Sequence, residues 1–276
     1  MKDFLLTLKK GFKKGFVCSY SVITGVNICA GLCGYTIRDI DREFSFWQCL
    51  FLLLCIMMLL TFLFLILFHF RKHRGYNTEV NGKSVSIRVG NIFDESGWKI
   101  IPCNERFDTQ VDDIIIAHNS LHGKMIDDYI DDLDMLRDSI LEAEHDHSPL
   151  KFRSENGTRI YPLGRIIAYK DFLMLAFSHF DCQNKAYINV GEYEQILIRM
   201  WKELRRVYAA KEISMPLLGT GITDIYGSKE KNYTSLLRCI LCTLRNSNFQ
   251  PNKGISIILT KESIKKINMN EIREEF

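Results

Sequence analysis

Two long stretches near the start of the chain are apolar on every side, and nothing after them is. Residues 44–70 (FSFWQCLFLLLCIMMLLTFLFLILFHF) contain no Lys, Arg, Asp or Glu. The run exceeds the roughly 20 residues that a membrane-spanning helix needs. Arg71, Lys72 and Arg74 follow at once, a basic stop of the kind found on the cytoplasmic side of a span. Residues 15–37 are also uncharged but softer, with Ser19, Ser21, Thr24 and Asn27 among small residues. The Ser21/Gly25 and Ala30/Gly34 spacings allow a second helix to approach closely, and Asn27 in hydrocarbon would seek a partner across helices. The pattern predicts a transmembrane hairpin over residues 1–74, with helices about 15–37 and 44–70 joined by 38–43. A basic start before an apolar run also suits a signal peptide, but this run is too long and no cleavage pattern ends it. Lys9, Lys10, Lys13 and Lys14 before the first helix and the basic stop after the second place both ends on one side. The expectation is a multi-pass protein of a bacterial inner (cell) membrane, with its N-terminus and its C-terminal domain cytoplasmic.

Beyond residue 74 the periodicity changes. Residues 75–83 are polar and read as a linker. From 84 to 276, short apolar runs alternate with helical stripes. Strands are expected at 84–89, 98–102, 158–169, 172–179, 212–218 and 254–260. A helix is expected from 124 to about 145 on the stripe Ile126, Tyr129, Ile130, Leu133, Leu136 and Ile140. Another should follow the capping box Asn189/Glu192 and bury Tyr193, Ile196, Leu197, Met200, Trp201 and Leu204. A third covers 232–246, and the charged tail 261–276 is compatible with a helix. Helices alternating with apolar strands indicate an α/β domain whose sheet is buried on both faces.

Charge narrows the function classes. The formal net charge of +3 lies entirely in the first 43 residues, where seven Lys/Arg stand against four Asp/Glu. The remainder is formally neutral, which argues against a nucleic-acid partner, since that needs a basic face. The nine cysteines form no regular disulfide framework. Cys239 and Cys242 lack a second pair, so packing explains them better than metal. His118 and His122 have a spacing zinc could use, but no third ligand accompanies them, and no metal is expected. The Asp-rich helix 124–145 reads as a solvated face.

The stretch of greatest chemical interest is Met215-Pro216-Leu217-Leu218-Gly219-Thr220-Gly221-Ile222-Thr223-Asp224. An apolar strand enters Gly-Thr-Gly, and a helix follows from Asn232. Two glycines around a hydroxyl residue let backbone N–H groups turn toward one point, which favours an anion such as phosphate. Gly-x-Gly alone is also an ordinary tight turn; the strand–loop–helix context raises its weight.

Several short motifs in order resemble a macro domain. They are Asn91-Ile92-Phe93-Asp94, Ile101 through Thr109, Val111-Asp112-Asp113, Ser120-Leu121-His122-Gly123 and Pro216 through Gly221. The nearest resemblance is to the divergent macro domains of Thoeris anti-phage effectors, over roughly residues 84–260. That resemblance implies a three-layer α/β/α domain with a mixed sheet that binds an ADP-ribose-derived nucleotide. It implies that Leu218, Gly219, Thr220, Gly221 and Ile222 wrap the diphosphate, with Ser120, Leu121, His122 and Gly123 as the facing loop and helix start. Asn91 stands where macro domains commonly place an Asp that accepts from adenine. Asn104 and Glu105 fall at the loop end that hydrolytic members use, with Phe107 and Asp108 beside them. The usual glycine run there is replaced by the segment 106–123, which argues for a reshaped site. No catalytic residue is assigned and no cofactor is expected. The implied function is a sensor: a TIR-domain enzyme makes the signal, the macro domain binds it and forms a homo-oligomer, and the lipid bilayer is disrupted, causing abortive infection. Histidine-linked ADP-ribose is a candidate signal. The alternative is a membrane-tethered ADP-ribosyl hydrolase.

Overall fold

The chain divides into two compact units, Met1–His73 and Arg74–Phe276. The computed structural model describes residues 12, 16–17, 19–21, 23–24, 51, 54–63, 75–143, 145–181, 183–227 and 230–276.

Every described residue of the first unit is helical. The hydroxyls of Ser21, Thr24 and Thr61 bond the carbonyls of Val17, Tyr20 and Met57, each one turn earlier, at 2.8–2.9 Å. Ser19 and Thr61 are both buried, and their hydroxyls meet at 3.2 Å. Large apolar side chains, including Phe16, Phe51, Met58, Leu59 and Phe62, face outward. The expected helices 15–37 and 44–70 fall mostly outside the described residues. Among the described residues, no helix is long and apolar enough to cross a membrane.

The second unit is built on a mixed sheet. Its strands are, in chain order, β1 (Tyr76–Val80), β2 (Lys83–Val89), β3 (Trp98–Asn104), β4 (Arg153–Glu155), β5 (Thr158–Ile160), β6 (Ile166–Tyr169), β7 (Phe172–Phe180), β8 (Ala186–Asn189), β9 (Ile213–Pro216), β10 (Asp224–Tyr226) and β11 (Ile255–Leu259). The order in the main sheet is β1-β2-β11-β9-β3-β7-β8-β10, with β6 also on β7. The central strands β2, β11, β9, β3 and β7 run parallel to one another; β1–β2, β6–β7 and β7–β8 are antiparallel. Strands β4 and β5 form a separate hairpin.

Alternation along the strands builds the layers. In β7, Phe172, Met174 and Ala176 join one buried cluster, while Leu173, Leu175 and Phe177 join the other. Successive side chains of a strand point to opposite faces, so this strand must be covered twice. One face packs against α1 (Leu121–Tyr129) and α2 (Leu133–Glu142) through Met125, Ile126, Leu136 and Ile140. The other packs against α3 (Val190–Val207) and α4 (Tyr233–Asn246), with Leu197, Met200, Trp201, Leu237, Ile240 and Leu241 in its cluster. Side chains of α5 (Lys261–Lys266) and α6 (Met269–Glu275) extend that cluster through Ile264, Met269 and Ile272. Each such fully buried aliphatic side chain contributes about 1.5–3 kcal/mol.

Three expectations need correction. Residues 75–83 are not a linker: Tyr76–Val80 alternates half-buried with exposed and pairs along β2 through a turn at Asn81-Gly82. The expected helix 124–145 is two helices, because Asp132 breaks it and caps α2 by accepting from the N–H groups of Asp134 and Met135. The expected strand 158–169 is β5 and β6, separated by a loop that buries Arg165. Arg165 is held by Glu203 at 2.6 Å and by Asp146. A charge buried this deeply needs such partners.

Candidate ligand cavity

The parallel strands end on one edge of the sheet, and a cavity of about 550 Å³ opens there. Its wall includes Pro102, Cys103 and Asn104 from β3, Phe177, Ser178 and Phe180 from β7, Pro216 from β9, and Ile258 from β11. Among the five central parallel strands, β3 is followed in the chain by β7 on one side and β9 by β11 on the other, with β4–β6 and the three-residue β10 intervening in sequence. The cavity therefore sits outside the point where strand order reverses, the usual ligand position in open α/β sheets.

Two elements bring backbone donors to it. The loop 217–223 follows β9. Gly219 adopts φ +82°, a left-handed conformation that disfavours any side chain. Thr220 folds back locally, its hydroxyl donating to the Leu217 carbonyl at 2.7 Å. The space around Gly221 is open, so nothing crowds a group approaching it. The other element is the start of α1. Ser120 is its N-cap and accepts from the Gly123 N–H at 2.9 Å. Gly123 is required by close approach: a Cβ there would lie 2.2 Å from the Ala117 carbonyl oxygen. A helix N-terminus carries partial positive charge and unpaired N–H groups, so it favours an anion.

His122, also on this wall, is 6% exposed, and burial lowers its pKa to about 4. It is a neutral imidazole at pH 7, able to donate from one nitrogen and accept at the other.

The cavity gathers Asn104, Ser120, Leu121, His122, Leu218, Gly219, Thr220, Gly221 and Ile222. Asn91, Glu105, Phe107, Asp108 and Gly123 are not on its wall. Asn91 is exposed and caps a single 3-10 turn (Ile92–Asp94), accepting from the Phe93 N–H and donating to Asp94. Phe107 is buried against Tyr161 in the core beneath α1 and α2. Burial raises the pKa of Asp108, against the pull of Arg106 and of the hydrogen bond from Asn104. Asn104 spends its side chain on its own loop, accepting from Arg106 and Asp108 N–H groups and donating to the Asp108 carboxylate. Sequence reasoning missed other lining residues: Ile115, Ile116, Asn119, Phe177, Phe180, Tyr233, Thr260 and Ser263.

His118 and His122 do not converge. His118 is exposed and pairs with Asp127 at 2.6 Å, which raises its pKa. Among the described residues, no cluster of three His, Cys, Asp or Glu side chains is placed to hold a metal.

A smaller cavity of about 310 Å³ is lined by Glu105, Lys151, Arg153, Tyr161, His179, Glu192 and Arg199, among others. There His179 bridges two carboxylates, Glu105 at 2.6 Å and Glu192 at 3.2 Å. The hydrogen bond to Glu105, and with it that to Glu192, raises the His179 pKa despite partial desolvation.

Residues 85–260 match the sequence profile of the family described as Thoeris protein ThsA, Macro domain. The Thoeris protein ThsA of Bacillus amyloliquefaciens (strain Y2) is 36% identical over 206 residues, covering 71% of this chain and 68% of that protein. This chain belongs to the ThsA macro-domain family. Among solved structures, a point mutant of the Oceanobacillus iheyensis macrodomain matches 73% of this chain and 99% of its own, at 14% identity and a TM-score of 0.46. Another mutant of that macrodomain, solved with ADPR, matches 72% and 99%, again at 14% and 0.46. The family match runs from within β2 to just past β11 and so contains both donor-bearing loops of the large cavity.

Proposed function

We propose that the chain is a membrane-anchored Thoeris effector whose macro domain binds an ADP-ribose-derived signal. The observation that carries this reading is the placement of the Gly219-Thr220-Gly221 loop and the α1 N-terminus on one cavity wall at the sheet switch point. Backbone donors, a neutral imidazole and Lys124 form a site for a diphosphate, with Glu262 also on the wall, and membership of the ThsA family supports the ligand class. Ligand binding favours an associated state of the macro domains by binding it more tightly than the free one. Association then drives the apolar N-terminal segments together and disrupts the bilayer. The uncharged sequence of 44–70, its basic stop, and the outward apolar side chains around the Ser19–Thr61 contact support the anchor. The signal comes from a TIR-domain enzyme, with histidine-linked ADP-ribose as first candidate.

Hydrolysis of ADP-ribose conjugates is the competing activity. Asn104, on which it would depend by resemblance, has its side-chain oxygen and nitrogen committed to residues 106–108, which favours binding.

The test uses the full chain in dye-loaded liposomes, with histidine-linked ADP-ribose added. The expected result is stoichiometric binding, growth of the oligomer and dye release, with the conjugate recovered intact. Release of free ADP-ribose with no leakage would replace the sensor by the hydrolase.

A further inference from the structure

The donors of the glycine loop must point at the ligand, and glycine-rich backbone does not hold its direction unaided. Three side chains hold it: Tyr193 and Lys231 lie off the cavity wall, and Tyr233 is on it. Tyr193 of α3 is buried and donates its hydroxyl to the Leu218 carbonyl at 3.0 Å. Lys231 donates to the Gly221 carbonyl at 2.7 Å. Tyr233, in the first turn of α4, donates to the Thr220 carbonyl at 3.4 Å. A trans peptide points its C=O and the following N–H in opposite directions. Fixing the carbonyls of Leu218, Thr220 and Gly221 therefore turns the N–H groups of Gly219, Gly221 and Ile222 away from these donors. All three of those residues line the cavity.

We propose that Tyr193, Lys231 and Tyr233 are positioning residues: a clamp that holds the loop amides in the orientation that binds the diphosphate of a nucleotide ligand. This rests on the nucleotide-binding reading above. The clamp anchors the loop to the two helices that flank β9 in sequence, α3 before it and the start of α4 after it. Tyr193 also sets the fit at Gly219, since a Cβ there would meet its ring at 3.3 Å. Lys231 adds a positive charge on the far side of the Gly221 peptide, polarising the peptide so that the N–H of Ile222 becomes a better donor. Neither Tyr193 nor Lys231 lines the cavity, so motif inspection of the loop alone does not reveal them.

The test compares two probes on the full-length chain by calorimetry: ADP-ribose, which has the diphosphate, and adenosine, which lacks it. The variants are Tyr193→Phe, Lys231→Met and Lys231→Gln, with thermal midpoints as a folding control. Tyr193→Phe and Lys231→Met should weaken ADP-ribose about tenfold and change adenosine less than twofold. Lys231→Gln retains a donor without the charge and should recover part of the loss. Parallel weakening of both probes would show a merely structural role and overturn the clamp, as would ADP-ribose affinity unchanged in both variants. If the wild-type chain binds adenosine and ADP-ribose equally, the diphosphate site itself is absent, and the nucleotide reading falls with the clamp.

Discussion

Two of the domain's cavities are built on different electrostatic plans. The smaller one is lined by full charges: Glu105 and Glu192 close on His179, with Lys151, Arg153 and Arg199 around them. Its carboxylates and imidazole already satisfy each other. The larger cavity carries fewer charges, Lys124 and Glu262, beside backbone N–H groups, a helix N-terminus and the neutral His122. Ion pairs that are complete among themselves gain little from a guest, which must first displace them at a desolvation cost. Preorganised backbone dipoles have no such competitor, and they gain strength from the low dielectric around them. The proposal therefore puts the anion on the backbone donors of the larger cavity rather than among the charges of the smaller one.

The largest effect that could break this contrast comes from Gly221→Glu. The position has open space and no left-handed φ, so the fold should tolerate the side chain. Its carboxylate would stand where the anion is bound. ADP-ribose affinity should fall at least about 100-fold, or roughly 2.7 kcal/mol. An unchanged affinity by calorimetry in a folded variant would mean that the loop is only a turn.

Acidity separates the two imidazoles. His122 has a folded pKa near 4, below the free value of about 6.5. The unfolded chain then binds the extra proton, so the stabilising term is complete above about pH 6.5 and is lost as pH falls toward 4. The loss from this group approaches about 3 kcal/mol at pH 4. His179 has the opposite sign: its folded pKa is raised, so its term is complete below its ordinary value and is lost as pH rises through the raised one. Denaturant melts across pH should therefore lose acid sensitivity in His122→Gln and lose the decline on the alkaline side in His179→Gln. The same slope in both variants would erase the distinction.

The smallest effect sharpens the contrast from the other side. Arg199→Gln in the charged cavity removes a hydrogen bond to the Leu163 carbonyl. Stability should drop by about 0.5–1.5 kcal/mol, while ADP-ribose affinity changes less than twofold. A tenfold loss by the same titration would move the anion to the smaller cavity.

What the sequence made legible follows the same division between local and assembled features. The stripes of α3 and α4 were readable because helical spacing puts Ile196, Leu197, Met200, Leu237 and Ile240 on one side within a single element. Gly219 was readable because turn chemistry is local, whereas Ser120 came only through the family resemblance. Strand β1 was not, since a polar edge strand reveals itself only by pairing with β2. The three-residue β10 was missed for a like reason, its parallel partner β8 lying beyond an intervening helix. The break at Asp132 was missed because the Asp-rich run reads as a solvated face of one helix and the apolar stripe continues through it. Asn91 was placed by analogy, and its side chain instead caps the turn after β2. The rest of the lining carries no motif: Phe177, Phe180, Ile258 and Thr260 come together because parallel strands end at a common edge.

The central claim is that loop 217–223 and the start of α1 bind the ligand through their N–H groups. Hydrogen exchange of the full chain, followed by mass spectrometry with and without saturating ADP-ribose, tests it most directly. The account predicts protection of peptides covering Gly219 to Ile222 and Leu121 to His122, and no change across the hairpin 153–160 beside the charged cavity. Protection confined to 153–160, with loop 217–223 exchanging as freely as before, would contradict it.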